Sequence, residues 1–146
     1  MRIAIGSDHG GFELKEKIKS YLVENDVQVV DYGTNSNESV DYPEYGEKVG
    51  HAVVDGDFDF GIVLCGTGIG ISIAANKVKG VRAALVYDEN TARLAKEHNN
   101  ANIIALGGRT TTYENAISII NTFSQATYEK RHQARLDKIK NIEGKE

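Results

Sequence analysis

The fold turns on Phe60-Gly61-Ile62-Val63-Leu64, followed at once by Cys65-Gly66-Thr67-Gly68-Ile69-Gly70. The first five residues are apolar, rich in strand-forming types and stopped by glycine, which predicts a strand buried on both faces of a parallel sheet. The residues after the glycines, Ile71-Ser72-Ile73-Ala74-Ala75-Asn76, can be helical. The only cysteine of the chain therefore stands where a strand stops and a helix begins. Gly66, Gly68 and Gly70 let successive backbone N–H groups turn inward and form an anion-binding concavity. The start of the helix adds partial positive charge. The stretch reads as a base beside a hole for negative charge. The plainer alternative is a small buried hydrophobe in a glycine turn, as many unpaired cysteines are.

Working outward, the same alternation of short apolar runs and helical spacings recurs along the chain. Arg2 to Gly6 reads as a first strand, and Ser7-Asp8-His9-Gly10-Gly11 as the loop after it. Leu14, Ile18, Tyr21 and Leu22 fall at helical spacing between Phe12 and about Asn25. Val27 to Tyr32 is a second strand, Gly33 to Pro43 a polar loop, and Glu44 to Val54 a helix with Tyr45, Val49, Ala52 and Val53 on one face. Beyond the central stretch, Arg82 to Tyr87 is a fourth strand, Asn90 to His98 a helix and Ile103 to Leu106 a fifth strand. A helix from Thr112 to Phe123 and a charged helix from about Ala126 to Ile142 complete the chain. Strands alternating with helices imply an α/β, Rossmann-like three-layer fold: a five-stranded parallel sheet with helices on both faces and an extra C-terminal helix. Right-handed crossovers leave few topologies, and the expected strand order is 2-1-3-4-5. Chain direction then reverses between strands one and three. The ligand belongs in the crevice outside their carboxyl ends, where the Asp8-His9 loop and the Cys65 loop meet.

Composition narrows the function. A chain of 146 residues suits a single domain, 1–146, with a real core. A net charge of -4 gives no electrostatic reason to expect nucleic acid. One cysteine fits a reducing compartment. With no leader pattern and no apolar stretch of membrane-spanning length, the expected location is cytoplasmic, with no membrane partner.

No phosphate loop of the GxxxxGK[ST] type occurs. Gly66 and Gly68 begin a dinucleotide fingerprint, but Ile71 occupies its last glycine position; Asp88, about twenty residues on, keeps a nucleotide module as a weak alternative. No spacing of His, Cys, Asp and Glu suggests a tetrahedral metal site. What remains is a thiol, a glycine cup, Asp8-His9 across the crevice, His98, Arg109 after strand five, and Arg131, His132 and Arg135 in the tail. His98 shares a helix face with Thr91, Leu94 and Ala95, and a histidine at a helix end also suits the dipole there. Its helix runs back toward the amino edge of the sheet, away from Cys65 of the same chain. A catalytic His98 therefore implies a site completed by a second subunit. Arg131 and Arg135, four apart, are expected on one helix face, suited either to phosphate oxygens or to solvent. Arg109 sits after a strand's carboxyl end, facing ligand or solvent, and His51 has no partner in view. The set describes proton transfer beside a carbonyl of a phosphorylated substrate: thiolate, enediolate hole, histidine and phosphate anchors, with no cofactor.

Ile5-Gly6-Ser7-Asp8-His9-Gly10-Gly11-Phe12, Asp41-Tyr42-Pro43, the segment Cys65 to Lys77, His98-Asn99, and Arg131-His132 with Arg135 together resemble the family of type B ribose-5-phosphate isomerases, which also holds the galactose-6-phosphate isomerase subunits. The likeness spans essentially the whole chain, and the Cys65 to Lys77 segment is its most specific part. It implies cofactor-free interconversion of D-ribose 5-phosphate and D-ribulose 5-phosphate. It implies that Cys65 is the proton acceptor between carbons one and two, and that His98 assists ring opening with help from Asp8. Substrate contacts are implied for Asp8, His9, Gly66, Thr67, Gly68, Ile69, Gly70 and Asn99, and phosphate-side contacts for Arg109, Arg131 and Arg135. It implies a homodimer, or a dimer of dimers, with sites shared between subunits. The same chemistry on a hexose 6-phosphate (allose or galactose 6-phosphate) and a non-catalytic sugar-phosphate or nucleotide-binding module are the alternatives.

Overall fold

A computed structural model describes residues 1–145, so the last residue of the expected 1–146 domain lies outside it. The elements run β1 Arg2–Ser7, a 3-10 turn His9–Gly11, α1 Phe12–Glu24, β2 Gln28–Asp31, α2 Tyr42–Asp55, β3 Phe60–Cys65, α3 Ile69–Asn76, β4 Ala83–Leu85, α4 Glu89–Glu97, β5 Ile103–Gly107 and α5 Tyr113–Gln125, then a 3-10 turn Lys130–His132 and α6 Gln133–Gly144. All strand pairs are parallel. Among the described residues no helix is long and apolar enough to cross a membrane.

The α/β sheet with helices on both faces is as the alternation requires, but the expected order 2-1-3-4-5 is corrected to β2-β1-β3-β5-β4. Burial explains the exchange of the last two strands. All five residues of β5 are buried, so it needs a neighbour on each side. β4 is three residues long and only partly covered, which suits an edge. The β3-α3-β4 connection skips one place, and α4 carries the chain back across the opposite face. Right-handed crossovers then put α2 and α3 on one face and α1, α4 and α5 on the other. The core divides the same way. Ile3, Ile5, Ile62, Leu64, Ile104 and Leu106 face α1, α4 and α5. Ala4, Val63, Cys65, Ile103 and Ala105 alternate with them and face α2 and α3. A fully buried side chain of this kind contributes about 1.5–3 kcal/mol.

Local chemistry moves several boundaries. Pro43, expected in a loop, lies in the first turn of α2, where its missing N–H costs no intrahelical bond. The Asp88 carboxylate accepts the Thr91 N–H at 2.7 Å and caps α4, so the one acidic residue that favoured a nucleotide module is used inside the fold. The expected single tail helix is broken: Ala126 has extended backbone, and helical structure resumes only at Lys130. Arg131 therefore stands on the 3-10 turn and Arg135 on α6, not on one continuous helix face. Lys15, which the helical spacing did not single out, is wholly buried, with Nζ 2.6 Å from the Asp31 carboxylate; Lys19 adds a contact at 3.1 Å.

Candidate active site

The corrected strand order has a direct consequence. β5 lies against β3, so the loop after β5 joins the loops after β1 and β3. Gly108 N–H donates to the Cys65 carbonyl at 2.8 Å, and Arg109 N–H donates to the Gly66 carbonyl at 2.9 Å. In the expected order a strand would have separated Arg109 from Cys65. Here the Arg109 side chain covers Gly66, where an added Cβ would meet Nη1 at 2.7 Å. From the other side a Cβ on Gly10 would lie 3.0 Å from the Gly66 nitrogen. Three loops approach at main-chain distance, which only glycine at these positions permits.

At the centre, Cys65 is 5% exposed and its Sγ accepts the Gly68 N–H at 3.1 Å. Gly68 has φ of +80°, the left-handed conformation that turns its amide back toward the sulfur before α3 begins. Thr67 Oγ1 accepts the Ile69 N–H at 3.2 Å and braces the turn. Asp8 is buried: its N–H donates to the Leu64 carbonyl at 3.2 Å, and its carboxylate accepts the Gly11 N–H at 3.2 Å. His9 Nδ1 lies 3.1 Å from the Val40 nitrogen, which ties the loop before α2 across the 3-10 turn. Tyr42 brings its ring over Gly70, where a Cβ would meet it at 2.6 Å. The motif Asp41-Tyr42-Pro43 was the signal for this residue, but no role was assigned to it from sequence. Asp8, His9, the whole Cys65 to Gly70 turn and Arg109 are thus brought together.

His98, Asn99, Arg131 and Arg135 are not brought to this place. The α4 helix returns to the amino edge of the sheet, where Asn102 N–H and Arg82 Nε donate to the carbonyls of Arg82 and Asn100. Cys65 pairs in register with Gly107, four residues further along β5 than Ile103, or about 13 Å of strand. At this far end His98 caps α4 and its ring lies 4.4 Å from that of His132, tilted by 38°. Glu129 Oε1 is 3.8 Å from His98 Nε2, 3.6 Å from His132 Nε2 and 2.9 Å from an Arg131 nitrogen. Arg135 Nη1 lies 3.1 Å from His132 Nδ1. The Glu129 carboxyl is held below its usual range by the Arg131 hydrogen bond first, burial opposing, with the charges of Arg131, His98 and His132 adding to the effect. Burial, then Arg131, His98 and Arg135, push His132 down and keep its ring neutral near pH 7. Asn99 is exposed and lines a cleft with Ala83, Ala84 and Ile139 at the β4 edge. Glu129 was missed by sequence reasoning, since nothing in its neighbourhood marks it before the tail is folded onto α4.

The donor atoms of His98, Glu129 and His132 lie within 4.8 Å of one another, a gathering that sequence spacing did not suggest. Arg135 can only donate, so His132 Nδ1 accepts and the proton sits on Nε2. With Arg131 also occupying the Glu129 carboxylate, the set is built for hydrogen bonding rather than for a cation.

Residues 3–139 match the profile of a family described as Ribose/Galactose Isomerase. The chain is 47% identical over 143 residues to ribose-5-phosphate isomerase B of Escherichia coli K12, covering 97% of this chain and 96% of that one. It is 48% identical over 128 residues to galactose-6-phosphate isomerase subunit LacB of Clostridium acetobutylicum, covering 88% of this chain and 74% of the relative. Among solved structures, ribose-5-phosphate isomerase B of Clostridium thermocellum superposes with a TM-score of 0.97 at 51% identity, over 99% of both chains.

Proposed function

The chain belongs to the ribose/galactose isomerase family, and we infer that it is a ribose-5-phosphate isomerase interconverting D-ribose 5-phosphate and D-ribulose 5-phosphate. The observation that carries the mechanism is the Cys65 sulfur held by the Gly68 amide in the glycine turn that opens α3, with the buried Asp8 on the adjacent loop. With the open-chain aldose bound, Cys65 Sγ takes the proton from carbon two. The C–H electron pair becomes the carbon–carbon double bond, and the carbonyl pair moves onto oxygen one. Main-chain amides of the glycine turn that are not donating to Cys65 Sγ or Thr67 Oγ1 hold that oxygen; one such donor is typically worth about 10²–10³ in rate. Sγ then returns the proton to carbon one, the proton on oxygen two passes to oxygen one, and the ketose results. His98 assists opening of the furanose ring, Asp8 and His9 hold sugar oxygens with Asn99, and Arg109, Arg131 and Arg135 anchor the phosphate.

These groups form one site only between two copies of the chain: the Cys65 half of one protomer and the His98 half of its partner. Support for such a dimer lies beside the Cys65 loop. Ile69, Ile73, Leu85 and Tyr87 are 52%, 56%, 39% and 65% exposed on α3 and along the β4 edge. A sheet edge with apolar side chains around it suits a second copy. The pentose phosphate pathway and the cytoplasm are the setting this reading implies.

The second reading, the same chemistry on a hexose 6-phosphate, draws on the likeness to the LacB subunit. Assay of the purified chain on ribose 5-phosphate and allose 6-phosphate side by side, in deuterium oxide, tests both. Turnover of the pentose with deuterium entering at carbon one of the ketose supports the leading reading. Preference for the hexose transfers it to the second, and substrate binding with no deuterium incorporation reduces the protein to a binding module.

A further inference from the structure

The His98 end carries a device that the isomerase reading above does not use. After α5 the chain leaves the helix at Ala126 and runs across the end of α4, where Glu129 N–H donates to the Glu97 carbonyl at 2.9 Å. That bond fixes the Glu129 backbone next to His98. The 3-10 turn then lays the His132 ring against His98, while Arg131 reaches Glu129 and Arg135 donates to His132 Nδ1. His132 is 6% exposed and its Nε2 is a buried nitrogen with no hydrogen-bond partner. Because Arg135 fixes the tautomer, that nitrogen bears a proton and faces Glu129 Oε1 at 3.6 Å. The Nε2 of His98 faces the same oxygen at 3.8 Å. Glu129 is partly exposed, and a side-chain rotation of under an ångström closes either contact, as catalytic hydrogen bonds commonly do when substrate arrives.

We propose that Glu129 is a positioning residue for His98: its Oε1, held from behind by Arg131 and His132, accepts the His98 Nε2–H and leaves Nδ1 free to take the proton of the anomeric hydroxyl and pass it to the ring oxygen as the bond from that oxygen to carbon one breaks, in the sugar held by the partner's Cys65 half. The inference rests on the isomerase reading and on His98 as the ring-opening group. A carboxylate that fixes which imidazole nitrogen carries the proton does the work of the third member of a hydrolytic triad. The tail is thereby assigned two tasks, phosphate anchoring through its arginines and orientation of His98 through Glu129.

Ring opening can be separated from proton transfer on carbon. Ribulose 5-phosphate has its fifth oxygen blocked by phosphate and cannot close a furanose ring, so deuterium wash-in at its carbon one needs the Cys65 half but no ring step. Net conversion of ribose 5-phosphate, mainly furanose in solution, needs both. Glu129→Gln should lower net conversion about tenfold or more, short of the roughly 10²–10⁴ of losing an acid–base group itself, while wash-in changes by less than about threefold. Glu129→Asp should restore most of the loss. His98→Asn run alongside should show the same split. If both rates fall together in Glu129→Gln, or neither falls, while His98→Asn shows the split, Glu129 is a structural residue and the proposal is overturned. If His98→Asn itself shows no split, the ring-opening reading fails and takes the proposal with it.

Discussion

The two ends of this molecule are built from different materials. At the carboxyl end of the sheet the proposed chemistry rests mostly on main chain: amides of a glycine turn and carbonyls bridging the loops after β3 and β5, with the nearly closed Cys65, the buried Asp8, His9 and Arg109 around them. At the amino end the groups are long side chains: Glu129, Arg131 and Arg135 on the tail, set against His98 at the end of α4, all partly or largely open. The first end is fixed by local sequence and tolerates almost no change of volume. The second is fixed by one tertiary seam, the contact of residue 129 with the end of α4, and its charges can be exchanged without disturbing the core. Neither is a complete site. On the proposed mechanism, a thiol with an enediolate hole and Arg109 has no histidine to open the ring, and two arginines beside a histidine have no base for carbon.

The contrast can be broken most decisively at the sulfur. Cys65→Ala should cut turnover by about 10²–10⁴, the range for loss of a positioned acid–base group, while substrate still protects the protein against heat. Near-wild-type turnover in that variant would end the division of labour drawn here. A subtler blow comes from mixing. Cys65→Ala and His98→Asn homodimers should each be nearly inactive; unfolded and refolded together, they should regain about a quarter of wild-type sites, because a mixed dimer has one intact pair of halves out of two. No recovery would place both halves within a single chain. Arg135→Ala should raise KM for ribose 5-phosphate by about 10–100-fold, the value of a charge-assisted hydrogen bond, with a smaller loss in kcat. An unchanged KM would return the tail to solvent.

The smallest effect on turnover and the clearest on stability belongs to Asp31, which lies outside both clusters and supports the Ser7 end of β1 through Gly33. Burial pushes its carboxyl up, but the hydrogen bonds from Lys15, the Gly33 N–H and Lys19 outweigh it and hold Asp31 below its usual range. A folded value below the unfolded one, about 3.9, contributes stability above that pH and loses it as pH falls through the folded value. Asp31→Asn should therefore lower Tm at pH 7, change kcat/KM by less than about threefold, and narrow its Tm gap to wild type as pH falls from 5 to 3. A gap that stays constant over that range would show that the Lys15 pair contributes nothing through charge.

Much of this was legible in the chain. The apolar run Phe60 to Leu64, the glycines after it and the alternation of strand and helix gave the layered sheet, because burial on two faces and left-handed turns demand particular residue types wherever they occur. The geometry of α4 alone gave the separation of His98 from Cys65. Strand order was not legible: Arg82 to Tyr87 and Ile103 to Leu106 are both apolar runs, and only packing reveals that one is short and half covered while the other is enclosed. The tail misled for a related reason. Its residues from Ala126 onward are compatible with helix, and the extended stretch before Lys130 exists because the chain must cross the end of α4. What sequence determined by itself is the set of local conformations and the chemical character of the Cys65 turn, since these depend on backbone sterics and on neighbours in the chain. What only the tertiary structure decided is which loops touch: Arg109 against Gly66, and Glu129 beside His98. Such contacts join residues dozens of positions apart, and their energy comes from surfaces that do not exist until the sheet is assembled.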